Sequence, residues 1–366
     1  MPLFDFRTST IGSGTRSKIT ILQEHIRSFL RHMTLPRLKN LIASEKNRIT
    51  GRASINSMPF FLKIESTGLC NLDCKWCTGS RRDRLPGERS AGRMTLKQFK
   101  RILDQTGKYL FRINLYGFGE PLLFPETFKM IKEASSRNIG MVISSNMNVV
   151  SDTLTEDILD CGLELLIFSC HGTTGKTVQK FMGNSADVQL ALKNVENLVK
   201  ERNRRKQRFP VIQWQYCVTG FNEHQMEDAR ATADRLGIDA IRFIKPWFPP
   251  DAGDEWYSSL FPRRSFTRSD YKAQSCSWPY RGAYISWDGG ILPCCREELY
   301  PVNDFGNVLS EDFQSIWNGD RYVQSRKLIK DPDSFKPSCK TICSTCPVLG
   351  FKPTVPQWEQ NSQQNT

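Results

Sequence analysis

Cys70, Cys74 and Cys77 stand in the run Glu65-Ser66-Thr67-Gly68-Leu69-Cys70-Asn71-Leu72-Asp73-Cys74-Lys75-Trp76-Cys77, directly after an apolar, strand-like segment. The spacing C-x3-C-x2-C puts three thiolates in one tight loop, enough to hold three irons of a 4Fe–4S cluster. A fourth thiolate would complete the coordination. Its absence from the loop leaves one iron open to a substrate or cofactor. The competing reading is a structural zinc, which needs four ligands that usually arrive as two cysteine pairs, and the C-terminal cysteines could supply the second pair.

Such a loop needs a frame. From about residue 59 to 247 the pattern alternates strand and helix six times. Strand-like runs are Phe60–Ser66, Arg112–Gly117, Gly140–Ser145, Leu163–Cys170, Val211–Thr219 and Ala240–Lys245. Helical spacing falls near Thr95–Thr106, Pro125–Ser136, Thr153–Cys161, Thr177–Arg202 and Asn222–Leu236. Alternating βα units imply parallel strands with right-handed crossovers, and ligands bound at the carboxyl ends of the strands, where the cysteine loop lies. In the fifth strand Ile212, Trp214, Tyr216 and Val218 alternate with Gln213, Gln215 and Cys217, so the apolar set should face the helices and the polar set inward. The same alternation turns Lys63 and Glu65, Arg112 and Asn114, and Arg242 inward. A filled barrel core would carry Val, Ile or Leu there. Polar residues predict a lumen for a polar substrate, and the excess of Lys63, Arg112 and Arg242 over Glu65 predicts an anionic group on it.

The cysteine loop resembles the signature of the radical S-adenosylmethionine (SAM) enzymes. Six βα units with a cofactor loop after the first strand look like that family's α/β fold, a partial (βα)6 TIM-type barrel. The resemblance implies that SAM chelates the open iron, that the reduced cluster cleaves it, and that the 5′-deoxyadenosyl radical takes a hydrogen from the substrate. Trp76, just before the third cysteine, would lie near the adenine. Tyr116-Gly117-Phe118-Gly119-Glu120 resembles the Gly-Gly-Glu motif that binds the SAM amino group. Gly117 and Gly119 free the backbone there, Gly119 and Glu120 match, and Phe118 departs from the pattern. Ser144-Ser145-Asn146 partly matches Thr-Asn-Gly, which implies that Ser144 and Asn146 reach the ribose, with Met147 in place of the glycine. Phe168-Ser169-Cys170-His171-Gly172 stands where related enzymes show Ser-x-Asp-Gly. Ser169 is the implied partner of the SAM carboxylate. His171 replaces the acid, as a changed acid/base group or as an ordinary loop histidine.

Farther on, Cys276 to Cys294 fits C-x12-G-x4-C, a hairpin with a ligand at each end, and Cys339, Cys343 and Cys346 close the run. This looks like the SPASM/twitch extension of radical SAM enzymes. The resemblance implies one auxiliary 4Fe–4S cluster on Cys276, Cys294, Cys343 and Cys346, with Cys339 as the alternative to Cys343 and Cys295 left over. The full SPASM pattern needs seven cysteines and six are present, so two complete auxiliary clusters are not expected. Zinc on the same four cysteines is the alternative. An auxiliary cluster could take an electron from the substrate radical, which predicts net oxidation with SAM consumed. The runner-up is a redox-neutral epimerisation in which an inward Cys217 donates hydrogen from its thiol. The plainer reading of Cys217 is a small buried apolar side chain.

The chain has 366 residues, 39% hydrophobic, and suits a large domain with a small one. The expected divisions are a basic helical extension over 1–58, the barrel over 59–250, the auxiliary-cluster domain over 251–350 and a polar, disordered tail over 351–366. No run of eighteen apolar residues crosses a membrane, the N-terminus has no secretory h-region, and twelve cysteines point to a reducing compartment, the cytoplasm. The net charge is +13, and the first 58 residues hold ten Lys/Arg against three acids. That surface is either simply solvated or favours nucleic acid, anionic lipid or acidic substrates. Ile19, Leu22, Ile26, Phe29, Leu30 and Met33 form an amphipathic helix ending near Pro36, followed by a short apolar stretch at Leu38–Ile42. The expectation is that its apolar face packs on the barrel or on another subunit; the alternative is peripheral contact with an anionic membrane.

Three function classes follow. The first is a radical SAM oxidoreductase or epimerase acting on a small polar molecule such as a sugar or aminocyclitol derivative, fed by an electron donor such as flavodoxin or ferredoxin. The second is a peptide or protein maturase, disfavoured because residues 1–58 read as helix and loop. The third is a non-catalytic zinc- or nucleic-acid-binding protein. It is disfavoured because His25, His32, His171 and His224 have no finger spacing and no aromatic platform appears, so DNA is not an expected partner.

Overall fold

A computed structural model describes residues 14–77, 79, 87–246, 248, 252–260, 276–295, 300–333, 335–339, 341–346 and 349. The tail over 351–366 lies outside them. The chain gathers into two compact units, one of residues 1–33, 66–80 and 111–263, the other of 34–65, 81–110 and 264–366. The first unit takes α1 (Thr15–Arg31), and the second takes α2 (Leu35–Thr50), β1 (Phe61–Ile64) and α3 (Leu96–Thr106). The first unit continues with β2 (Arg112–Asn114), α4 (Pro125–Ser136), β3 (Gly140–Ser145), α5 (Leu154–Asp160), β4 (Leu165–Ser169), α6 (Gly175–Met182), α7 (Val188–Arg204), β5 (Val211–Cys217), α8 (Met226–Leu236) and β6 (Ala240–Ile244). The second unit ends with α9 (Trp278–Arg281), β7 (Gly282–Ile285), β8 (Gly290–Leu292), β9 (Gly306–Asn307), α10 (Phe313–Trp317) and α11 (Asp320–Lys330).

In the first unit β2 to β6 are parallel and lie in the order β6-β5-β4-β3-β2, each beside its neighbour in sequence. Repeated βα units lead to that order, because each crossover helix returns the chain to the next strand position. The chain has the expected α/β class, a mostly parallel partial TIM-type barrel with N-terminal helices and a C-terminal region. Register sorts the side chains. Ile113, Ile143, Leu166, Ile212, Trp214 and Phe243 are fully buried on one face. The other face carries Asn114, Val142, Leu165 and Val211 in one layer, then Ser144, Ile167, Gln213 and Ala240, then Ser169, Gln215 and Arg242. The layers become more polar toward the carboxyl ends.

Two sequence expectations are corrected. The segment Thr177–Arg202 is not one helix but two, α6 and α7. Gly183 breaks it at φ +92°, and a Cβ there would lie 2.8 Å from the Asp73 carbonyl oxygen. The Lys75 N–H also donates to the Phe181 carbonyl at 3.1 Å, so the break falls where the cysteine loop crosses. Asp187 restarts the helix by accepting from the Gln189 and Leu190 N–H groups at 2.8 and 3.1 Å. The stretch Leu38–Ile42 is part of a full helix, α2, with Thr34 as N-cap, Pro36 in its first turn and Gly51 in the left-handed conformation at its end.

In the second unit β1 runs parallel to β7 from Phe61↔Gly282 to Ile64↔Ile285, β7 pairs antiparallel with β8, and β8 with β9. Arg326 is fully buried; its Nε donates to the Pro279 carbonyl at 2.8 Å and its Nη1 to Ala53 at 3.0 Å, with the guanidinium over Trp317 at 4.8 Å. No described helix is long and apolar enough to cross a membrane.

Gly183→Ala should lower stability by about 1–3 kcal/mol, through its φ and the clash with Asp73. The control Gly175→Ala, whose Cβ meets nothing within 4 Å, should stay within about 0.5 kcal/mol of the parent in urea unfolding.

Candidate functional site

The cysteine loop has few bonds of its own. Cys77 N–H donates to the Cys74 carbonyl at 3.1 Å and Leu72 N–H to Cys70 Sγ at 3.4 Å. Its shape comes from outside. Asn71 donates through Nδ2 to the Asn148 carbonyl at 2.6 Å and accepts at Oδ1 from Asn146 Nδ2 at 3.0 Å. Ser185 Oγ donates to the Asn71 carbonyl at 3.3 Å, and Glu120 N–H to that of Leu69 at 2.9 Å. Gly119 passes so close beneath that a Cβ would lie 2.2 Å from the Thr67 carbonyl oxygen, so only glycine fits. Desolvation pushes the Cys70 thiol up to about 11 and Cys74 higher still, and the neighbouring thiols add to both shifts. Thiols that raise one another's pKa are poor hosts for free thiolates and good ones for cationic iron.

Glu120 is buried at 2% exposure, and burial pushes its carboxyl up to about 7. Its Oε1 accepts from Leu122 N–H at 3.0 Å and its Oε2 from Asn146 N–H at 2.8 Å, which fastens the loop after β2 to the end of β3. Gly117 lies on the same loop, between β2 and Glu120. Ser144 and Ser169 meet, Oγ to Oγ, at 2.9 Å. Met147 takes φ +57°, the left-handed region that the glycine of Thr-Asn-Gly would enter freely. Asn194 Nδ2 holds it there by donating to the Met147 and Val149 carbonyls at 2.9 and 2.8 Å.

An aromatic wall stands beside this loop. Trp256 packs edge-on to Trp76 at 5.5 Å and lies 5.4 Å from Phe248 and 5.7 Å from Phe181. The Lys75 ammonium sits over the Trp256 ring at 5.2 Å. Glu223 seats the segment that carries Trp256, accepting from Ser259 N–H at 2.9 Å and Ser259 Oγ at 2.8 Å. The His171 ring packs tilted against Phe181 at 4.4 Å, and its Nδ1 accepts from Cys217 N–H at 3.2 Å. Burial pulls the imidazole down to about 4 and pushes the Cys217 thiol up to about 12, so His171 is neutral and Cys217 keeps its proton at physiological pH. Asn71, Asn148, Phe181, Phe248 and Trp256 were not found by motif. The signal for the last two was the aromatic density after the sixth strand.

The residues expected to face a substrate divide. Gln213, Gln215, Arg242 and Asn114 lie on the inward face of the first unit. Arg112 shares that face but starts β2, at the end of the strand away from the cysteine loop, where its Nη1 donates to His25 Nδ1 at 2.8 Å. Lys63 and Glu65 belong to the second unit: the Lys63 ammonium lies 5.6 Å over the Tyr284 ring, and Glu65 is fully buried, accepting from Trp287 N–H at 3.5 Å.

The late cysteines converge in the second unit. Cys276, Cys294, Cys295 and Cys346 pack against a core that includes Tyr284, Leu292, Ile342 and Cys343. Burial pushes Cys276 up to about 12 and Cys294 well above its ordinary value, with Cys343 and Cys346 adding to both. That donor set fits a second multi-iron centre. Cys339 is half-buried and is not among the cysteines of this described core.

The profile of the Radical SAM superfamily matches residues 64–235, and that of SPASM, an iron-sulfur cluster-binding domain, matches 276–347. The chain is 26% identical over 329 residues to the tungsten-containing aldehyde ferredoxin oxidoreductase cofactor-modifying protein of Pyrococcus furiosus, covering 80% of this chain and 90% of that one. It is 22% identical over 348 residues to the AdoMet-dependent heme synthase of Methanosarcina barkeri, covering 82% and 95%. Streptococcus suis SuiB bound to its precursor peptide SuiA superposes with a TM-score of 0.56 over 86% of this chain and 75% of that one; at 15% identity the likeness is one of fold.

The pH dependence of stability tests the His171 environment. Its folded pKa, about 4, lies below the ordinary 6.5, so its contribution is present in full above about pH 7 and is lost as pH falls toward 4. His171→Asn should be less acid-sensitive than the parent by ~2 kcal/mol between pH 7 and 5 in urea unfolding.

Proposed function

We propose that this chain, which belongs to the radical SAM superfamily and carries a SPASM iron–sulfur domain, removes a hydrogen from a polar, anionic small molecule and oxidises it. When bound, the 4Fe–4S cluster and SAM supply one-electron cleavage of SAM and a radical strong enough to break a C–H bond. The chain's residues do the rest. Cys70, Cys74 and Cys77 hold the first cluster, and Asn146 and Asn71 fix the loop that carries them. Trp76, Gly117, Gly119, Glu120, Ser144 and Ser169 form the cofactor's surroundings. Cys276, Cys294, Cys343 and Cys346 would hold the auxiliary cluster, which would supply a one-electron acceptor.

The observation that carries this reading is the polarity gradient of the inward layers, from Val142, Leu165 and Val211 up to Ser169, Gln215 and Arg242. Arg242 is the cation for an anionic group, and the wall of Trp256, Phe248 and Phe181 keeps water from a radical. The relatives named for cofactor modification and heme synthesis support a small molecule, whereas those named mycofactocin maturase are the support for the peptide alternative. A second reading, epimerisation, has its own support: Cys217, on the same strand face as Gln213 and Gln215, keeps its thiol protonated and so is a hydrogen-atom donor.

Anaerobically reconstituted protein should bind about eight irons and form 5′-deoxyadenosine from SAM with dithionite. Cys70→Ala/Cys74→Ala/Cys77→Ala should drop to about four irons with no 5′-deoxyadenosine. Cys276→Ala/Cys343→Ala should also drop to about four irons but keep SAM cleavage. Zinc without iron in the parent would overturn the reading. With turnover substrate in deuterated water, deuterium incorporation that Cys217→Ala abolishes would select epimerisation.

A further inference from the structure

Helix α1 meets the barrel with its polar side. Ser17, His25, Ser28 and His32 recur along one line of the helix, and each is used. Ser17 Oγ accepts from Ile241 N–H at 3.1 Å, and His25 Nδ1 from Arg112 at 2.8 Å. Ser28 Oγ donates to Glu164 at 2.8 Å, and His32 Nε2 lies 2.7 Å from the same carboxylate. Phe29 also faces the barrel, stacked on Phe111 at 4.5 Å, but Ile19, Leu22, Ile26 and Leu30 lie away from it and are 49, 44, 48 and 59% exposed. Of the stripe expected to pack on the barrel, Phe29 does so and these four do not, which departs from the usual surface helix. Helix α2, within its own unit, repeats the departure. Arg37, Asn40, Ser44 and Asn47 are buried, while Leu35, Ile42 and Ile49 are 64, 60 and 74% exposed.

Charge says what covers the stripes. Lys18, Arg27 and Arg31 on α1, and Lys39 and Lys46 on α2, are exposed. The acids of the two helices are already engaged: Glu24 with Arg27 and Arg208 at 2.7 Å each, Glu45 with Arg48 at 2.9 Å and with Arg281. A second copy would set basic rim against basic rim. A convex aliphatic ridge also lacks the pockets into which protein partners insert aromatic anchors. A bilayer with anionic headgroups takes both features at once, aliphatic side chains at the acyl boundary and Lys/Arg among the phosphates.

We infer that α1 is an interfacial helix that holds the enzyme on an anionic lipid surface, and that α2 carries the same kind of stripe within its own unit. The test uses the full-length reconstituted holoenzyme, sedimented with phosphatidylcholine vesicles and with vesicles containing about 30% phosphatidylglycerol. The protein should pellet with the anionic vesicles and not with the neutral ones, and raising NaCl from about 0.1 to 0.5 M should weaken binding at least ten-fold. Leu22→Gln/Ile26→Gln should reduce partitioning at least ten-fold while 5′-deoxyadenosine formation stays at the parent rate, which shows that the variant is folded. Three results would overturn the inference: no pelleting with anionic vesicles, equal pelleting of parent and variant, or a parent dimer in light scattering that the double substitution dissolves.

Discussion

A loop that carries three desolvated thiols and few bonds of its own takes its shape from its surroundings. Some of its internal bonds run to or from a thiol, as from Leu72 N–H to Cys70 Sγ, and its geometry depends on tethers from elsewhere in the first unit. Asn146 and Asn148 come from the end of β3, Gly119 and Glu120 from the loop after β2, and Phe181, Gly183 and Ser185 from the interruption between α6 and α7. Each tether explains a local oddity: a glycine that admits no Cβ, a buried carboxylate used on two backbone N–H groups, a helix cut in two. The parallel strands bring their carboxyl ends together, and so bring these tethers to one place.

The inward face of that unit has two ends with different characters. Near the cysteine loop it is hydroxyl, amide and guanidinium, walled by aromatic rings. At the start of the strands, His25 is pulled down to about 3 by burial and by the nearby charges of Arg112 and Arg242, and stays a neutral acceptor for Arg112. Sequence alternation assigns both ends to one face, because period two says which side a residue takes and not how far along the barrel it sits. Arg112 therefore reads as a substrate residue and is found bonded to a helix.

The cysteines, the strands and the Gly-Glu turn were legible because each is a local pattern with a fixed period or spacing. The tethers were not. Asn71 and Asn148 meet across more than seventy residues, and no spacing rule connects them. The aromatic wall draws on Trp76, Phe181, Phe248 and Trp256, one from each of four segments. The orientation of α1 was legible only at Phe29, for a different reason. Hydrophobic periodicity identifies a helix and its stripe, but the assumption that the stripe points inward belongs to helices whose other side is water. Here the polar side met buried groups, Glu164, Arg112 and the Ile241 N–H, that needed partners.

The interruption at Gly183 also bears on the order in which the protein is made. A ribosome that has released residue 77 has delivered all three cysteines of the first loop and none of the groups that shape it. Those arrive with residues 119 and 120, then 146 and 148, and last with 181 to 185. The three cysteines are thus among the earliest parts of the barrel to emerge and among the latest to be settled. A nascent chain stalled before α6 offers three loose thiols to any metal present, whereas one that has passed Ser185 offers a shaped seat.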